Sequence, residues 1–173
     1  MKKIIIFTDI GDTVIDEGTE VYDGQIVQRA ECIPGARETY LALHAAGHTI
    51  AMVADGRVQS FHNTMAQHGL DGIFSAWIIS EEIGEDKPSP RMFEAAMRAL
   101  DLTEADKARV IMVGNNVARD VRGANGFGIR SVLIDWSKRR PFDEQGPLDH
   151  ACYRIHTPAE LLPLVEKLEA ELR

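Results

Sequence analysis

Four short apolar runs, each followed by a polar turn, constrain the fold of this 173-residue chain more than any other feature. They cover residues 4–8, 49–54, 110–113 and 131–134, and none of them contains a charged residue. Such runs predict strands that are buried on both faces, as in a parallel sheet. Segments 73–79 and 152–155 predict two further strands.

Amphipathic segments alternate with these strands and predict helices. Pro34 and Gly35 open the first, and Ser89 caps a later one that has Pro90 in its first turn. Four helices are predicted over residues 36–47, 58–68, 90 to about 100 and 118–125, the first of which ends at Gly47. A last helix is predicted to begin at a capping box formed by Thr157 and Glu160 and to end at residue 172. The alternation predicts one three-layer α/β domain, Rossmann-like, spanning residues 1–173.

The segment between the first strand and the first helix is too short for a large additional domain. Within residues 15–32, two strand-like runs flank Asp23 and Gly24, a pair that is typical of a tight hairpin turn. We therefore expect a small flap beside the end of the first strand and no large cap domain.

Charge and composition limit the partners. The formal net charge of −8 argues against nucleic acid as the main partner, because phosphate backbones attract basic surfaces. No apolar run reaches membrane-spanning length, and Cys32 and Cys152 form no spaced framework. No signal peptide precedes the first strand, so we expect a cytoplasmic protein.

Polar residues follow three of the predicted strands. Asp9, Asp55 and Asn115 stand at these strand ends, with Asp120 shortly after, and Lys87 lies between the third strand and the next helix. Parallel strands present their carboxyl ends on one edge of a sheet, where ligands bind. A carboxylate, a lysine and oxygen ligands for a hard cation are the groups needed for phosphoryl transfer through an aspartyl phosphate.

These stretches resemble the ordered motifs of the haloacid dehalogenase-like (HAD) hydrolases. The similar segments are Asp9-Ile-Gly-Asp-Thr13, Val53-Ala-Asp-Gly56, Lys87-Pro-Ser-Pro90, and Val113 to Asp120 continuing into Gly123-Ala124. The resemblance covers nearly the whole chain. It implies a Mg²⁺-dependent phosphatase that acts on a phosphomonoester of a small molecule or a macromolecule.

The resemblance also implies roles for individual residues. Asp9 would be the nucleophile, with Lys87 balancing charge. The Mg²⁺ ligands would be Asp9, the Gly11 carbonyl, Asn115 and Asp120. Phosphate would be bound by Asp12, Thr13, Ala54, Asp55 and Lys87, partly through closely spaced backbone N–H groups.

Three positions depart from the family pattern. Gly11 stands where phosphatases of the family carry an acid–base Asp, Ala54 where Ser or Thr binds phosphate, and Asn115 where an Asp commonly binds metal. The alternative function is therefore a catalytically degenerate protein that binds phosphate or a partner without turnover. Asp12 is a candidate substitute acid. Dehalogenation needs neither Mg²⁺ nor that acid, but there is no cap to enclose a small haloacid.

Several features around the predicted site remain open. Arg57 could contact substrate or be an exposed arginine, and the run from Trp136 to Arg140 could attract an anionic substrate or be a solvated loop. The absence of a cap suggests that the loop, a macromolecular substrate or a neighbouring subunit of a homo-oligomer covers the site. His62 and His68 do not share a helix face, which argues against a histidine metal site.

Overall fold

A computed structural model describes residues 2–172 of the chain. Its strands are β1 (Ile5–Thr8), β2 (Val21–Asp23), β3 (Ile26–Arg29), β4 (Ile50–Ala54), β5 (Ala76–Ile79), β6 (Val110–Gly114), β7 (Arg130–Ile134) and β8 (Tyr153–Ile155). Its α-helices are α1 (Ala36–Ala45), α2 (Val58–Gln67), α3 (Ser80–Ile83), α4 (Pro90–Ala99), α5 (Arg122–Phe127) and α6 (Leu161–Glu171). Within this part of the chain, six parallel strands form the central sheet in the order β5-β4-β1-β6-β7-β8.

Helices cover both faces of the sheet, which explains why its strands are uncharged. Ile4 and Ile6 pack into the core that contains residues of α1, α2 and α6, whereas Ile5 and Phe7 pack into the core that contains α4. Each of these four side chains is at most 3% exposed. The predicted three-layer α/β architecture is confirmed, and β1 lies at its centre.

The flap consists of the antiparallel pair β2 and β3. Its turn is at Gly24 and Gln25, one residue later than predicted, because Gly24 supplies the left-handed backbone with φ of 58°. The flap is attached to α2. The Val27 N–H donates to Ser60 Oγ (2.9 Å), and Asn63 Nδ2 donates to the Val27 carbonyl (2.9 Å).

The structure corrects some of the predicted boundaries. β5 begins at Ala76 instead of residue 73, and α3 follows it in a segment where no helix was predicted. The helix predicted over 118–125 begins as a π-helical turn, Val117–Val121, and continues as α5. Gly126 lies inside α5, which ends at Gly128 (φ 87°). The capping box that precedes α6 is confirmed.

The polar loop 136–150 is tied to α5 by an ion pair. Arg122 donates to both carboxylate oxygens of Asp149, at 2.7 and 2.9 Å. Asp149 also accepts from the Gln145 N–H (2.8 Å) and is 2% exposed. Within residues 2–172, no helix is long and apolar enough to cross a bilayer.

Candidate active site

Asp9 is placed at the carboxyl edge of the sheet by the two strands that flank β1. β1 pairs with β4 on one side and with β6 on the other, and the Asp9 N–H donates to the Val113 carbonyl (2.9 Å). A cavity of about 260 Å³ opens at this edge. The predicted site residues that line it are Asp9, Gly11, Asp55, Asn115 and Asp120.

Lys87 contacts three carboxylates at this edge of the sheet. Its Nζ lies 3.2 Å from Asp9 Oδ1, 2.7 Å from Asp120 Oδ1 and 4.0 Å from Asp55 Oδ2. It also donates to the Val53 carbonyl at 2.7 Å. The backbone N–H of Lys87 donates to Asp55 Oδ1 (2.9 Å), so Asp55 contacts both the backbone and the ammonium group of the lysine. The predicted convergence of these four residues is therefore seen in the structure.

Burial determines the protonation of this cluster. Desolvation raises the pKa of Asp9 from 3.8 to about 6; Lys87 lowers it and the Asp120 carboxylate raises it further. Burial disfavours the charge of Lys87, but Asp120, Asp9 and Asp55 outweigh that cost and raise the pKa of the lysine. Lys87 therefore stays charged beside the Asp9 carboxylate.

Three oxygen-bearing groups meet on the open side of Asp9. The side-chain amide of Asn115 lies 3.2 Å from Asp9 Oδ2 and 3.2 Å from the Gly11 carbonyl oxygen. In one orientation of the amide, the Asn115 nitrogen can donate to both of these oxygens. In the other orientation, the Asn115 oxygen lies beside Asp9 Oδ2 and the Gly11 carbonyl oxygen, and a cation would stabilise this set of three acceptors. Octahedral Mg²⁺, with ligands at 2.0–2.1 Å, places neighbouring oxygens roughly 3 Å apart. The group fits Mg²⁺.

The ligand set contains few charges. Within residues 2–172 there is no cluster of three or more His, Cys, Asp or Glu side chains placed to hold a metal. The converging set consists of one carboxylate, one carbonyl and one amide. Because neutral oxygens bind a hard cation less strongly than carboxylates do, affinity here depends on Asp9 and on the negative charge nearby.

Asp120 is held beside this set. Its Oδ1 pairs with Lys87, and its Oδ2 accepts from the Asn116 N–H at 2.9 Å. A Cβ on Gly114 would lie 2.2 Å from Cγ and from Oδ2 of Asp120. Gly114 is therefore required for Asp120 to reach the cluster, and Asp120 positions Lys87.

The backbone contacts of Asp12 and Thr13 do not favour the phosphate-binding roles predicted for them, which remain predictions. The Asp12 N–H donates to the Ile15 carbonyl (2.7 Å) and the Thr13 N–H to the Ile10 carbonyl (3.2 Å). Both residues are fully buried and neither lines the cavity. The turn that follows Asp9 uses these N–H groups to close itself, so they are not available to phosphate.

Asp12 is also not placed as a substitute acid. Arg139 donates to both of its carboxylate oxygens, at 2.9 and 3.2 Å, and Asp12 Oδ1 accepts from the Glu17 N–H (3.1 Å). This ion pair, in which Asp12 is buried and Arg139 is 43% exposed, ties the loop that contains Arg139 to the turn that follows β1. Asp12 does not line the cavity, and its backbone is in the left-handed region, with φ of 48°.

Ala54 does not reach the cavity either, because it is fully buried as the last residue of β4. The next two residues, Asp55 and Gly56, do line it. The Gly56 N–H donates to Ser80 Oγ (3.0 Å). Of the second motif, the structure therefore brings Asp55 and Gly56 to the site.

Arginines at the cavity rim are paired with acidic or polar groups. Arg57 donates to Glu81 Oε1 (3.0 Å) and to Gln25, and Arg119 contacts Asp55 Oδ2 at 3.3 Å. Both arginines line the cavity, as does Arg140 from the predicted basic run. The rim therefore has cationic groups close to the site, each already held by a neighbour.

Glu17 is the main site residue that the sequence did not reveal. It lines the cavity from the flap side, and a Cβ built on Gly11 would lie 2.1 Å from its Oε1. Burial raises its pKa; Arg140 lowers it, and Asp12 and Asp9 raise it further. The sequence signal that could have indicated Glu17 is its carboxyl group in the polar turn Asp16-Glu17-Gly18, to which no role was assigned.

Comparison with known proteins identifies the family. Residues 2–128 match the model of the haloacid dehalogenase-like hydrolases. Over 139 residues the chain is 30% identical to glyceraldehyde 3-phosphate phosphatase of Pyrococcus furiosus, covering 80% of this chain and 55% of that enzyme. It is 28% identical over 134 residues to (S)-2-haloacid dehalogenase 4A of Burkholderia cepacia, covering 78% of this chain and 55% of the dehalogenase.

These curated relatives are longer, and the chain spans about half of their length. Among solved structures, a HAD phosphatase from Thermococcus onnurineus has the same fold, with a TM-score of 0.74 at 17% identity. That match covers 93% of this chain and 97% of the other. On the match to the family model, the chain belongs to the haloacid dehalogenase-like hydrolases.

Proposed function

We propose that this protein is a phosphatase that hydrolyses a small phosphomonoester through a phosphorylated Asp9. One observation carries the proposal. At the carboxyl edge of the sheet, Lys87 Nζ lies within 3.2 Å of carboxylate oxygens of both Asp9 and Asp120. A buried lysine so placed keeps Asp9 ionised and attracts the phosphoryl group that Asp9 attacks.

The proposed reaction has two steps. The Asp9 carboxylate attacks phosphorus, the bond to the leaving alcohol breaks, and Asp9 becomes an aspartyl phosphate. Water then attacks the same phosphorus and the Asp9–phosphate bond breaks, which restores the carboxylate and releases inorganic phosphate. Lys87 neutralises part of the negative charge that accumulates as phosphate approaches Asp9.

The residues proposed to hold Mg²⁺ are Asp9, the Gly11 carbonyl and Asn115, with Asp120 contributing through its charge. Mg²⁺ bound there supplies electrostatic neutralisation between the nucleophile and the phosphate oxygens. The convergence of three oxygen-bearing groups on one point supports this assignment. It assigns Asp120 to positioning Lys87, since Asp120 Oδ1 lies 2.7 Å from Lys87 Nζ and Asp120 Oδ2 accepts from the Asn116 N–H.

Cavity size supports a small substrate. A volume of about 260 Å³ lies just below the range of roughly 300–1,000 Å³ found for sites of drug-sized ligands. The relative from Pyrococcus furiosus is named for a phosphorylated three-carbon sugar, which is consistent with such a volume. Arg57, Arg119 and Arg140 at the rim favour anionic substrates.

The test is phosphate release from a panel of phosphomonoesters, measured with Mg²⁺ and with EDTA, for wild type and Asp9→Asn. We expect Mg²⁺-dependent release that the substitution abolishes. Turnover that survives Asp9→Asn contradicts the nucleophile assignment. Binding of Mg²⁺ or inorganic phosphate without any turnover favours the degenerate binding protein. A 2-haloacid in the panel tests for dehalogenation, the activity named in the Burkholderia cepacia relative.

A further inference from the structure

The leaving alcohol in the proposed reaction needs a proton. Breaking the bond between phosphorus and an alkyl oxygen would otherwise release an alkoxide, and the attacking water must lose a proton in the second step. A positioned acid–base group commonly contributes about 10² to 10⁴ in rate. Asp9 forms the bond to phosphorus, and Lys87 is held by four oxygen atoms, so neither supplies this proton.

Glu17 differs in placement from the acidic residues that Lys87 holds. Asp9 and Asp55 follow strands and Asp120 lies in the π-helical turn after β6, whereas Glu17 lines the cavity from the short turn that precedes β2. Its Oε1 occupies the position where a side chain at residue 11 would begin, 2.1 Å from an ideal Cβ. Gly11 thus leaves room beside the nucleophile, and the Glu17 carboxyl group fills that room.

The surroundings of Glu17 orient this group. Its N–H donates to Asp12 Oδ1 at 3.1 Å, which fixes the backbone of the short turn Glu17–Thr19. Arg140 Nη2 contacts its two carboxylate oxygens at 3.3 and 3.2 Å. The side chain is 24% exposed, so it is held in place and still open to the cavity.

We propose that Glu17 is the proton-transfer residue of this site. Its carboxyl group takes the place of the acid–base side chain that is missing at Gly11. The inference rests on the proposed phosphatase activity. In the first step, the Glu17 carboxyl group gives its proton to the leaving oxygen while Asp9 bonds to phosphorus, so a neutral alcohol departs. In the second step, the Glu17 carboxylate takes a proton from the attacking water, and the aspartyl phosphate breaks down.

The leaving group separates proton transfer from a structural role. An alkyl phosphate such as glycerol phosphate needs a proton on its leaving oxygen, whereas p-nitrophenolate leaves without one. For Glu17→Gln we expect kcat/KM, which reports formation of the aspartyl phosphate, to fall by about 10² to 10⁴ on the alkyl ester. The fall in kcat/KM on p-nitrophenyl phosphate should be much smaller, whereas the later hydrolysis of the aspartyl phosphate slows equally for both substrates. If Glu17 only anchors Arg140, both substrates lose activity equally, and the inference is overturned.

A second variant tests the spatial replacement. The Gly11 backbone is outside the left-handed region, so that position accepts a side chain once Glu17 is shortened. In a Glu17→Ala background, we expect Gly11→Asp to restore part of the activity on the alkyl ester. Gly11→Asp alone collides with Glu17. The absence of any rescue in a double variant that folds and binds Mg²⁺ contradicts the proposal.

The matched control is Glu38→Gln, which removes an exposed carboxylate in the first turn of α1. It should leave both substrates unaffected, and thermal melts confirm that every variant folds. If wild type shows no Asp9-dependent phosphate release, the phosphatase assignment fails and the role of Glu17 fails with it. If release depends on Asp9 and Glu17→Gln shows no leaving-group dependence, only the role of Glu17 fails.

Discussion

Replacing the nucleophile should stabilise the protein while abolishing its activity. Asp9→Asn keeps the shape of the side chain and removes a carboxylate whose pKa burial raises from 3.8 to about 6. Each pKa unit corresponds to about 1.4 kcal/mol, so keeping Asp9 ionised in the fold costs about 3 kcal/mol at neutral pH. Lys87 keeps its contact with Asp120 at 2.7 Å, so the lysine does not lose its closest partner.

The dependence on pH follows from the direction of the shift. Because the folded state binds the proton more tightly than the unfolded state does, the cost is fully present above about pH 6 and absent below about pH 3.8. The gain from Asp9→Asn should therefore be about 3 kcal/mol near pH 7.5 and about half of that near pH 5.

Urea unfolding of wild type and variant at these two pH values, in EDTA, measures both quantities. The control is Asp23→Asn in the exposed flap, which should change the free energy of unfolding by less than about 0.5 kcal/mol at either pH. An Asp9→Asn protein that is less stable than wild type near pH 7.5 refutes the reasoning. So does a gain that is the same at both pH values.

Three further predictions concern the supports of the site. Lys87→Met should lower the free energy of unfolding by about 3–5 kcal/mol, because it leaves buried carboxylates uncompensated; a loss below about 1 kcal/mol in urea unfolding contradicts this. Gly114→Ala should displace Asp120, abolish turnover and cost about 1–3 kcal/mol. Gly126→Ala in α5, whose added Cβ would meet only Leu148 Cδ1 at 3.8 Å, should be neutral or stabilising; equal effects of the two substitutions in thermal melts would show that the contact between residue 114 and Asp120 is unimportant. Asp149→Asn should cost about 1–2 kcal/mol at neutral pH, since the hydrogen bonds from Arg122 lower the pKa of Asp149 to about 2. This loss in the free energy of unfolding should disappear as pH falls from 3.8 towards 2. If urea titrations still show the loss at the lower pH, the ion pair between Arg122 and Asp149 is not its cause.

The sequence was sufficient to predict the sheet and the cluster around Lys87. Uncharged runs such as residues 4–8 can be buried only between two layers of helices, which sets the architecture. Once those strands are parallel, their carboxyl ends share an edge, so Asp9, Asp55 and Asp120 must lie near one another. Topology brings these carboxylates near Lys87, and the contact of Asp120 with it also requires the absence of a side chain at Gly114.

The sequence was insufficient where a role depends on the local backbone. Asp12 and Thr13 follow the nucleophile in the chain, but their N–H groups close the turn, and Asp12 pairs with Arg139, 127 residues away. The approach of Glu17 to Gly11 likewise depends on how the flap turn is held. These contacts arise from tertiary placement, which neither periodicity nor motif spacing specifies.

The most direct test of the central claim is to trap the phosphorylated enzyme. Wild type mixed with a phosphomonoester and Mg²⁺, quenched rapidly in acid and analysed by mass spectrometry, should carry one phosphoryl group on the peptide that contains Asp9. The Asp9→Asn protein should carry none under the same conditions. Phosphate release by wild type without any phosphorylated Asp9, or with the phosphoryl group on another residue, would contradict the account.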